Sequence, residues 1–142
     1  MKRKILLIII TFFCLNCQET NLLVFNINSS PKELINEIKE MIVSDNYVLM
    51  NSDSLYLSTL WRKCTKEENN IPDNTIECKL DVNLVPLEKG TDVKLKVIKR
   101  SSLNSSRPDS LTYTEVGIIL NDLLYKKWKD NLLTLQKKYK KE

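Results

Sequence analysis

Alternating apolar and polar residues predict two long β-strands in the second half of the chain. Every second residue is apolar across 76–84, and the same pattern returns at 93–97 after a turn. Strands that bury one face and expose the other are typical of antiparallel sheets. Shorter runs rich in strand-forming residues predict further strands at 22–27, 47–50 and 55–61.

Apolar residues spaced three and four apart predict two amphipathic helices. The first follows the sequence Ser-Pro-Lys-Glu at 30–33, a capping box with proline at the first helical position, and ends at the turn-forming residues 44–46. The second is predicted to span about 113–139, because Thr-Tyr-Thr-Glu at 112–115 repeats the capping-box spacing. Such a helix is ~40 Å long and exceeds the width of five strands at ~4.8 Å each. Its last turns are therefore expected to overhang the sheet.

The predicted order of elements is β-α-β-β-β-β-α. One-sided strands and two amphipathic helices predict a two-layer α+β domain, in which an antiparallel β-meander of four to five strands carries both helices on one face. A chain of this length suits one core. We therefore expect residues 22–142 to form a single domain.

A basic and then apolar segment opens the chain. Basic residues at 2–4 precede an apolar run at 5–13 that only Thr11 interrupts. The run is too short to span a bilayer core of ~30 Å as a helix and is typical of a secretory signal. It leads into Cys-Leu-Asn-Cys at 14–17. This segment resembles a bacterial lipoprotein signal peptide with a degenerate lipobox, cut before Cys17.

This resemblance implies that residues 1–16 are removed, that Cys17 is lipidated with palmitate among its acyl chains, and that 17–21 form a tether. It also implies a membrane reached through the N-terminal lipid and protein partners on the extracytoplasmic side of the envelope. Lipidation at Cys14, a plain cleaved signal and an uncleaved anchor are the alternatives. The architecture of the body loosely resembles the helix-grip and TATA-box-binding-like domains of envelope lipoproteins, which implies a fold and no function.

Composition removes several classes of function. The formal charge is +4, but cleavage takes three of the 22 basic side chains and leaves 19 against 18 acidic ones, so nucleic acid is not an expected partner. Histidine is absent, which excludes Ser-His and Cys-His nucleophiles and leaves the two cysteines of the body short of a zinc site. Gly90 and Gly117 stand alone, without a phosphate-binding loop. We therefore predict no enzyme, no metal and no cofactor.

Cys64 and Cys78 flank a polar loop, and an extracytoplasmic location favours a disulfide between them. Closing a loop of about fifteen residues contributes roughly 3 kcal/mol. The pleat of the preceding strand would direct Cys64 away from the core face that carries Cys78, so a bridge requires a bulge or freedom in the loop. Two free thiols are the alternative. Glu67, Glu68 and Asp73 in the same loop are expected to be solvated rather than catalytic.

The end of the second helix is the predicted partner surface, because the overhanging turns contain Leu132, Leu135 and Tyr139. The sequence therefore favours a lipid-anchored envelope protein whose domain is a non-catalytic protein-binding or structural module. The alternative is a carrier that holds a small apolar ligand between sheet and helices. That alternative requires a pocket above roughly 300 Å³ lined by Leu95 and Val97.

Overall fold

The computed structural model describes residues 22–68, 76–103, 112–116 and 123–140, which form one antiparallel sheet and two helices. The elements are β1 (Leu22–Ile27), α1 (Pro31–Ser44), β2 (Leu49–Ser52), β3 (Tyr56–Thr59), β4 (Arg62–Lys63), β5 (Ile76–Pro86), β6 (Thr91–Leu103), β7 (Thr112–Val116) and α2 (Leu123–Lys138). The predicted α+β class is confirmed. The predicted number of strands is too low. The two-residue strand β4 was not predicted, and β7 lies where a helix was expected.

The sheet has the strand order β1-β6-β5-β3-β2, with β4 beside β5 and β7 beside β6. The long β5–β6 hairpin forms its centre, and alternate residues of both strands are buried, as the sequence pattern predicted. Gly90 lies in the turn of this hairpin with a φ of 91°. A Cβ at Gly90 would lie 2.4 Å from the carbonyl oxygen of Ile27. Only glycine tolerates both this φ and this close approach.

Both helices pack on the face to which β5 and β6 direct their buried residues. Helix α1 begins at the predicted capping box, in which Ser30 and Glu33 exchange side chain–backbone hydrogen bonds. The buried residues are Leu34, Ile35, Ile38 and Ile42 in α1 and Leu124, Trp128, Leu132 and Leu135 in α2. They share one core with the inward side chains of β5 and β6.

The second helix is shorter than predicted. Residues 112–116 form β7, which pairs with β6, and α2 begins at Leu123. Residues 117–122 lie outside the described part of the chain. Threonine, tyrosine and valine favour strands, so pairing with β6 outweighs the capping-box spacing. A helix of 16 residues is ~24 Å long, and the argument for an overhang no longer holds.

The predicted partner surface at the end of α2 is wrong for both of its leucines. Leu132 is 0 % exposed and Leu135 is 5 % exposed, because they lie four and seven residues after Trp128 and share its face of the helix. Tyr139 is partly buried, and its hydroxyl donates a hydrogen bond to Glu37. These three side chains therefore do not form an exposed stripe.

The signal peptide, Cys17 and the tether at 17–21 lie outside the described residues. Lipid attachment therefore remains a prediction from the sequence. Neither α1 nor α2 is long and apolar enough to cross a membrane, and no other helix occurs in the ranges that the structure describes.

Candidate functional site

Two free cysteines meet where β4 pairs with β5. The backbone N–H of Cys64 donates to the carbonyl oxygen of Ile76 at 3.0 Å, which aligns Cys64 with β5. The sulfur atoms of Cys64 and Cys78 are 3.0 Å apart. Cys78 is fully buried, whereas Cys64 is partly exposed. We call these two residues the thiol pair.

Cys64 and Cys78 are free thiols in the structure, and the disulfide between these two neighbouring cysteines stays a prediction. The pleat of the preceding strand was expected to direct Cys64 away from Cys78, but it does not separate the two side chains. Strand β3 ends at Thr59, earlier than predicted, and Leu60 and Trp61 separate it from β4. Because of this break, the direction of the Cys64 side chain does not follow the in-and-out alternation of β3. The side chain packs against the core that contains Cys78.

Charged side chains of the described residues surround Glu68 beside the thiol pair. We call these residues the charge cluster: Asp45, Arg62, Glu68, Lys99 and Lys127. Glu68 is only 3 % exposed and accepts two hydrogen bonds from Arg62, at 2.7 and 2.8 Å. Lys127 contacts the carboxylates of Asp45 and Glu68, and its Nζ lies 3.2 Å from Oε1 of Glu68. Lys99 donates from Nζ to the carbonyl oxygen of Glu68 at 2.9 Å. The charge cluster thus ties the loop after β4 to α1, β6 and α2.

Glu68 also fixes the shape of its own loop. Its carboxylate accepts a hydrogen bond from the N–H of Thr65 at 2.9 Å, and its N–H donates to the carbonyl oxygen of Thr65 at 3.1 Å. The expectation that Glu68 is solvated is therefore wrong. Glu67 is exposed, as expected, and Asp73 lies outside the described residues.

Two aromatic side chains complete the site. The hydroxyl of Tyr47 donates to Sγ of Cys78 at 3.3 Å, and the guanidinium carbon of Arg62 lies 3.8 Å from the centroid of the Tyr47 ring. Trp128 meets Tyr47 edge-on, with 6.3 Å between ring centroids. The Nε1 atom of Trp128 and the Nε atom of Arg62 are buried without a hydrogen-bond partner among the described residues. Arg62 is thus held between an aromatic face and carboxylates.

Burial and hydrogen bonding compete in setting the protonation of this site. Burial alone would raise the pKa of Glu68, but hydrogen bonds from Arg62 and a backbone amide outweigh it and lower the pKa from 4.5 to about 2. The hydrogen bond from Cys64 lowers the pKa of Cys78 against the effect of burial, and Tyr47 adds to it. The same bond, together with burial, raises the pKa of Cys64.

The side chains of Cys64, Glu68 and Cys78 bring their donor atoms within 4.8 Å of one another. Two sulfurs and one carboxylate are fewer than the four ligands of a structural zinc site, and Arg62 and Lys127 already occupy the carboxylate. The charge cluster as defined contains three cations and two carboxylates, so its positive excess opposes a further cation. The arrangement fits thiol chemistry better than metal binding.

Leu95 and Val97 are both 0 % exposed, so they do not line the pocket that a carrier of apolar ligands requires. A cavity of about 270 Å³ lies instead beside the end of β1 and the last turn of α2. Its lining residues are Asn26, Asn28, Gln136, Tyr139 and Lys140. Amide and ammonium groups are a poor match for an apolar ligand.

Exposed apolar side chains concentrate around β2. Five of the eight large apolar side chains that are exposed in the described residues lie between 43 and 60. Val48 and Met50 flank the half-buried Leu49, so they face away from the core. The N–H of Leu60 donates to the carbonyl oxygen of Val48 at 2.8 Å, which places Leu60 beside Val48. We call Val48, Met50 and Leu60 the β2 patch.

Neither the charge cluster nor the β2 patch was predicted from the sequence. Charged residues in loops and at helix ends are normally solvated, and no local pattern distinguishes Glu68 from Glu67. The β2 patch did have a signal, because Val48, Leu49 and Met50 form a continuous apolar run where a one-sided strand needs only alternate apolar residues.

No protein-family model matches the chain and no curated protein is significantly similar to it, so the function proposed below rests on the geometry and the sequence features alone.

Proposed function

We propose that the chain is a lipid-anchored protein of the bacterial cell envelope whose domain binds another protein at the β2 patch, a surface that takes no part in catalysis. The observation that carries the binding role is the exposure of three apolar neighbours. Val48 is 62 % exposed, Met50 53 % and Leu60 46 %. Contiguous exposed apolar side chains are characteristic of interaction sites, whereas isolated ones are common on any protein surface.

The occupant that this edge fits best is an extended strand of the partner protein. Strand β2 is the last strand on its side of the sheet order, so one side of its backbone has no strand partner among the described residues. Sheet edges are usually protected by lysine or proline. β2 is short and has a bulge between Leu49 and Asn51, but it contains neither residue type. An added strand would bond to this backbone and cover Val48 and Met50.

The β1 edge of the sheet can be compared with the β2 edge as a possible site for an added strand. Strand β1 is also an edge strand, but the carbonyl oxygen of Asn26 accepts a hydrogen bond from Gln136 of α2 at 2.8 Å. Its exposed large apolar side chain is Val24, at 52 %. Val24 therefore matches Met50 in exposure without belonging to a patch.

Site-specific photo-crosslinking in the native envelope tests the binding surface. A crosslinking residue at Met50 is expected to give one discrete protein adduct, because the partner strand covers this side chain. The same residue at Val24 is the matched control and is expected to give little or none. Adding Leu60→Asp to the Met50 probe should reduce the adduct at least ~10-fold, which corresponds to a loss of about 1.4 kcal/mol in binding. Equal adducts at Met50 and Val24, or an adduct indifferent to Leu60→Asp in a folded protein, would contradict the proposal.

The lipid anchor is tested by the intact mass of the protein purified from its bacterial membrane. We expect a chain that begins at Cys17 and carries a diacylglyceryl-sized addition, because the N-terminal segment resembles a lipoprotein signal. Cys17→Ala should abolish the addition, and the matched control Cys14→Ala should retain it. An unmodified full-length chain would contradict the lipoprotein assignment and would leave residues 5–16 as an uncleaved anchor.

A further inference from the structure

We propose that Cys64 and Cys78 form a thiol–disulfide exchange site, which takes an organic disulfide as its substrate and closes to an intramolecular disulfide. This inference does not depend on the proposed binding at the β2 patch. It begins with the position of the two sulfurs, which are 3.0 Å apart on adjacent segments. A disulfide bond is about 2.05 Å long, so closure requires an approach of about 1 Å. A rotation of the Cys64 side chain can supply this movement while its backbone stays bonded to β5.

The charges around the pair favour the reactive form of the sulfur. The thiolate is the nucleophile in exchange, and nearby cations stabilise it. Arg62 favours a thiolate on Cys78 and Lys99 favours one on Cys64, whereas the carboxylate of Glu68 opposes both. The hydroxyl of Tyr47 also donates a hydrogen bond to Cys78 at 3.3 Å. The same cations that disfavour a metal ion therefore favour a thiolate.

Accessibility assigns different roles to the two cysteines. Cys78 is 0 % exposed, so an external disulfide cannot reach it, whereas Cys64 is partly exposed. Deprotonation leaves one proton between the two sulfurs, and transfer of this proton to Cys78 creates the thiolate on Cys64. Cys64 is thus the attacking cysteine. Cys78, held by Tyr47, is the resolving cysteine.

The reaction has two exchange steps. The Cys64 thiolate attacks one sulfur of the disulfide RSSR, so that the S–S bond breaks, a mixed disulfide forms on Cys64 and one RS⁻ leaves. The Cys78 thiolate then attacks the sulfur of Cys64, the Cys64–Cys78 bond forms and the second RS⁻ leaves. The two protons lost by the thiols convert the two RS⁻ to RSH. The protein thus loses two electrons, and the organic disulfide gains them.

The test uses the full chain with Cys14→Ser and Cys17→Ser, so that only the thiol pair can react. The reduced protein is incubated with glutathione disulfide, and its mass is followed after acid quenching. We expect a product lighter by two hydrogens, with a Cys64–Cys78 crosslinked peptide. Cys78→Ser should stop at one glutathione adduct on Cys64, and Cys64→Ser should react at least ~10-fold more slowly, because the remaining sulfur is buried.

The variant Tyr47→Phe provides a second measurement, in which both Cys64 and Cys78 are retained. Without the donated hydrogen bond, the resolving thiolate is less stable, so the pH–rate profile for closure should move to higher pH while circular dichroism stays unchanged. Three outcomes would overturn the proposal. The first is a doubly glutathionylated wild type, and the second is a Cys64→Ser variant that reacts as fast as wild type. The third is stoichiometric Zn²⁺ in the native mass spectrum that protects both thiols, which would make the pair part of a metal site.

Discussion

The substitution Glu68→Gln is expected to lower the free energy of unfolding by about 3 kcal/mol, because removing one partner of a buried ion pair leaves the other charge uncompensated. Glu68 is 3 % exposed, and Arg62, which donates two hydrogen bonds to it, is 14 % exposed. The glutamine keeps the size of the side chain but leaves Arg62 and Lys127 to share Asp45 alone. Urea denaturation of both proteins measures the difference.

Glu67→Gln is the matched control for this substitution. Glu67 precedes Glu68 in the same loop and is exposed, so the loss of its charge should change the free energy of unfolding by less than about 0.5 kcal/mol. A loss below about 1 kcal/mol for Glu68→Gln would show that the charge cluster behaves like a solvated surface pair.

The pH dependence provides an independent check on the same residue. The pKa of Glu68 is lowered from 4.5 to about 2 in the folded protein, so its contribution to stability is complete above about pH 4.5 and declines as the pH falls towards 2. The difference in free energy of unfolding between wild type and Glu68→Gln should therefore shrink between pH 5 and pH 2. Other carboxylates titrate in both proteins and largely cancel in this difference. A difference that stays constant down to pH 2 would show that the carboxylate charge is not its cause.

The substitution Trp128→Ala is expected to lower the free energy of unfolding by about 3–5 kcal/mol, the usual range for removing a large aromatic side chain from a core. Trp128 is 0 % exposed and contacts Tyr47 edge-on, so its removal leaves a cavity between α2 and the ring of Tyr47. Leu123→Ala is the control on the same helix. Leu123 is 39 % exposed, and its truncation should cost less than about 1 kcal/mol.

A conservative variant separates the size of Trp128 from its polar atom. Its Nε1 is buried without a hydrogen-bond partner in the described part of the chain, so Trp128→Phe removes ring area and also an unsatisfied donor, whose burial itself costs about 1–3 kcal/mol. We expect Trp128→Phe to lose less than half as much stability as Trp128→Ala, measured by the same denaturation. Equal losses for the two variants would contradict this account of the indole N–H.

The sequence predicted those elements whose signals are local. Alternation over 76–84 and 93–97 predicted the central hairpin, and the capping box at Ser30 predicted the start of α1, because both patterns report directly on neighbouring backbone. The start of α2 was wrong for the opposite reason. Whether residues 112–116 become strand or helix depends on pairing with β6, and a four-residue spacing cannot report on a distant partner.

The candidate site was predictable only in part. The sequence pointed to Cys64 and Cys78 as a pair, because each lies next to the loop between them. The charge cluster combines Asp45, Glu68 and Lys127 from segments that only the fold brings together. Each of these residues has an ordinary surface context in the sequence, and the contacts that bury Glu68 against Arg62 and Lys127 form only in the folded chain.

If Cys17 carries the proposed lipid, the position of β1 at one edge of the sheet limits the distance between the domain and the membrane. Only five residues lead from Cys17 to the start of β1 at Leu22, and a fully extended segment of that length reaches at most ~18 Å. A lipid on Cys17 would hold the β1 edge within this reach of the bilayer. Strand β2 lies four positions away in the sheet order, or ~19 Å across. Such a short tether favours partner proteins that bind close to the lipid headgroups over partner proteins that remain far from the membrane surface.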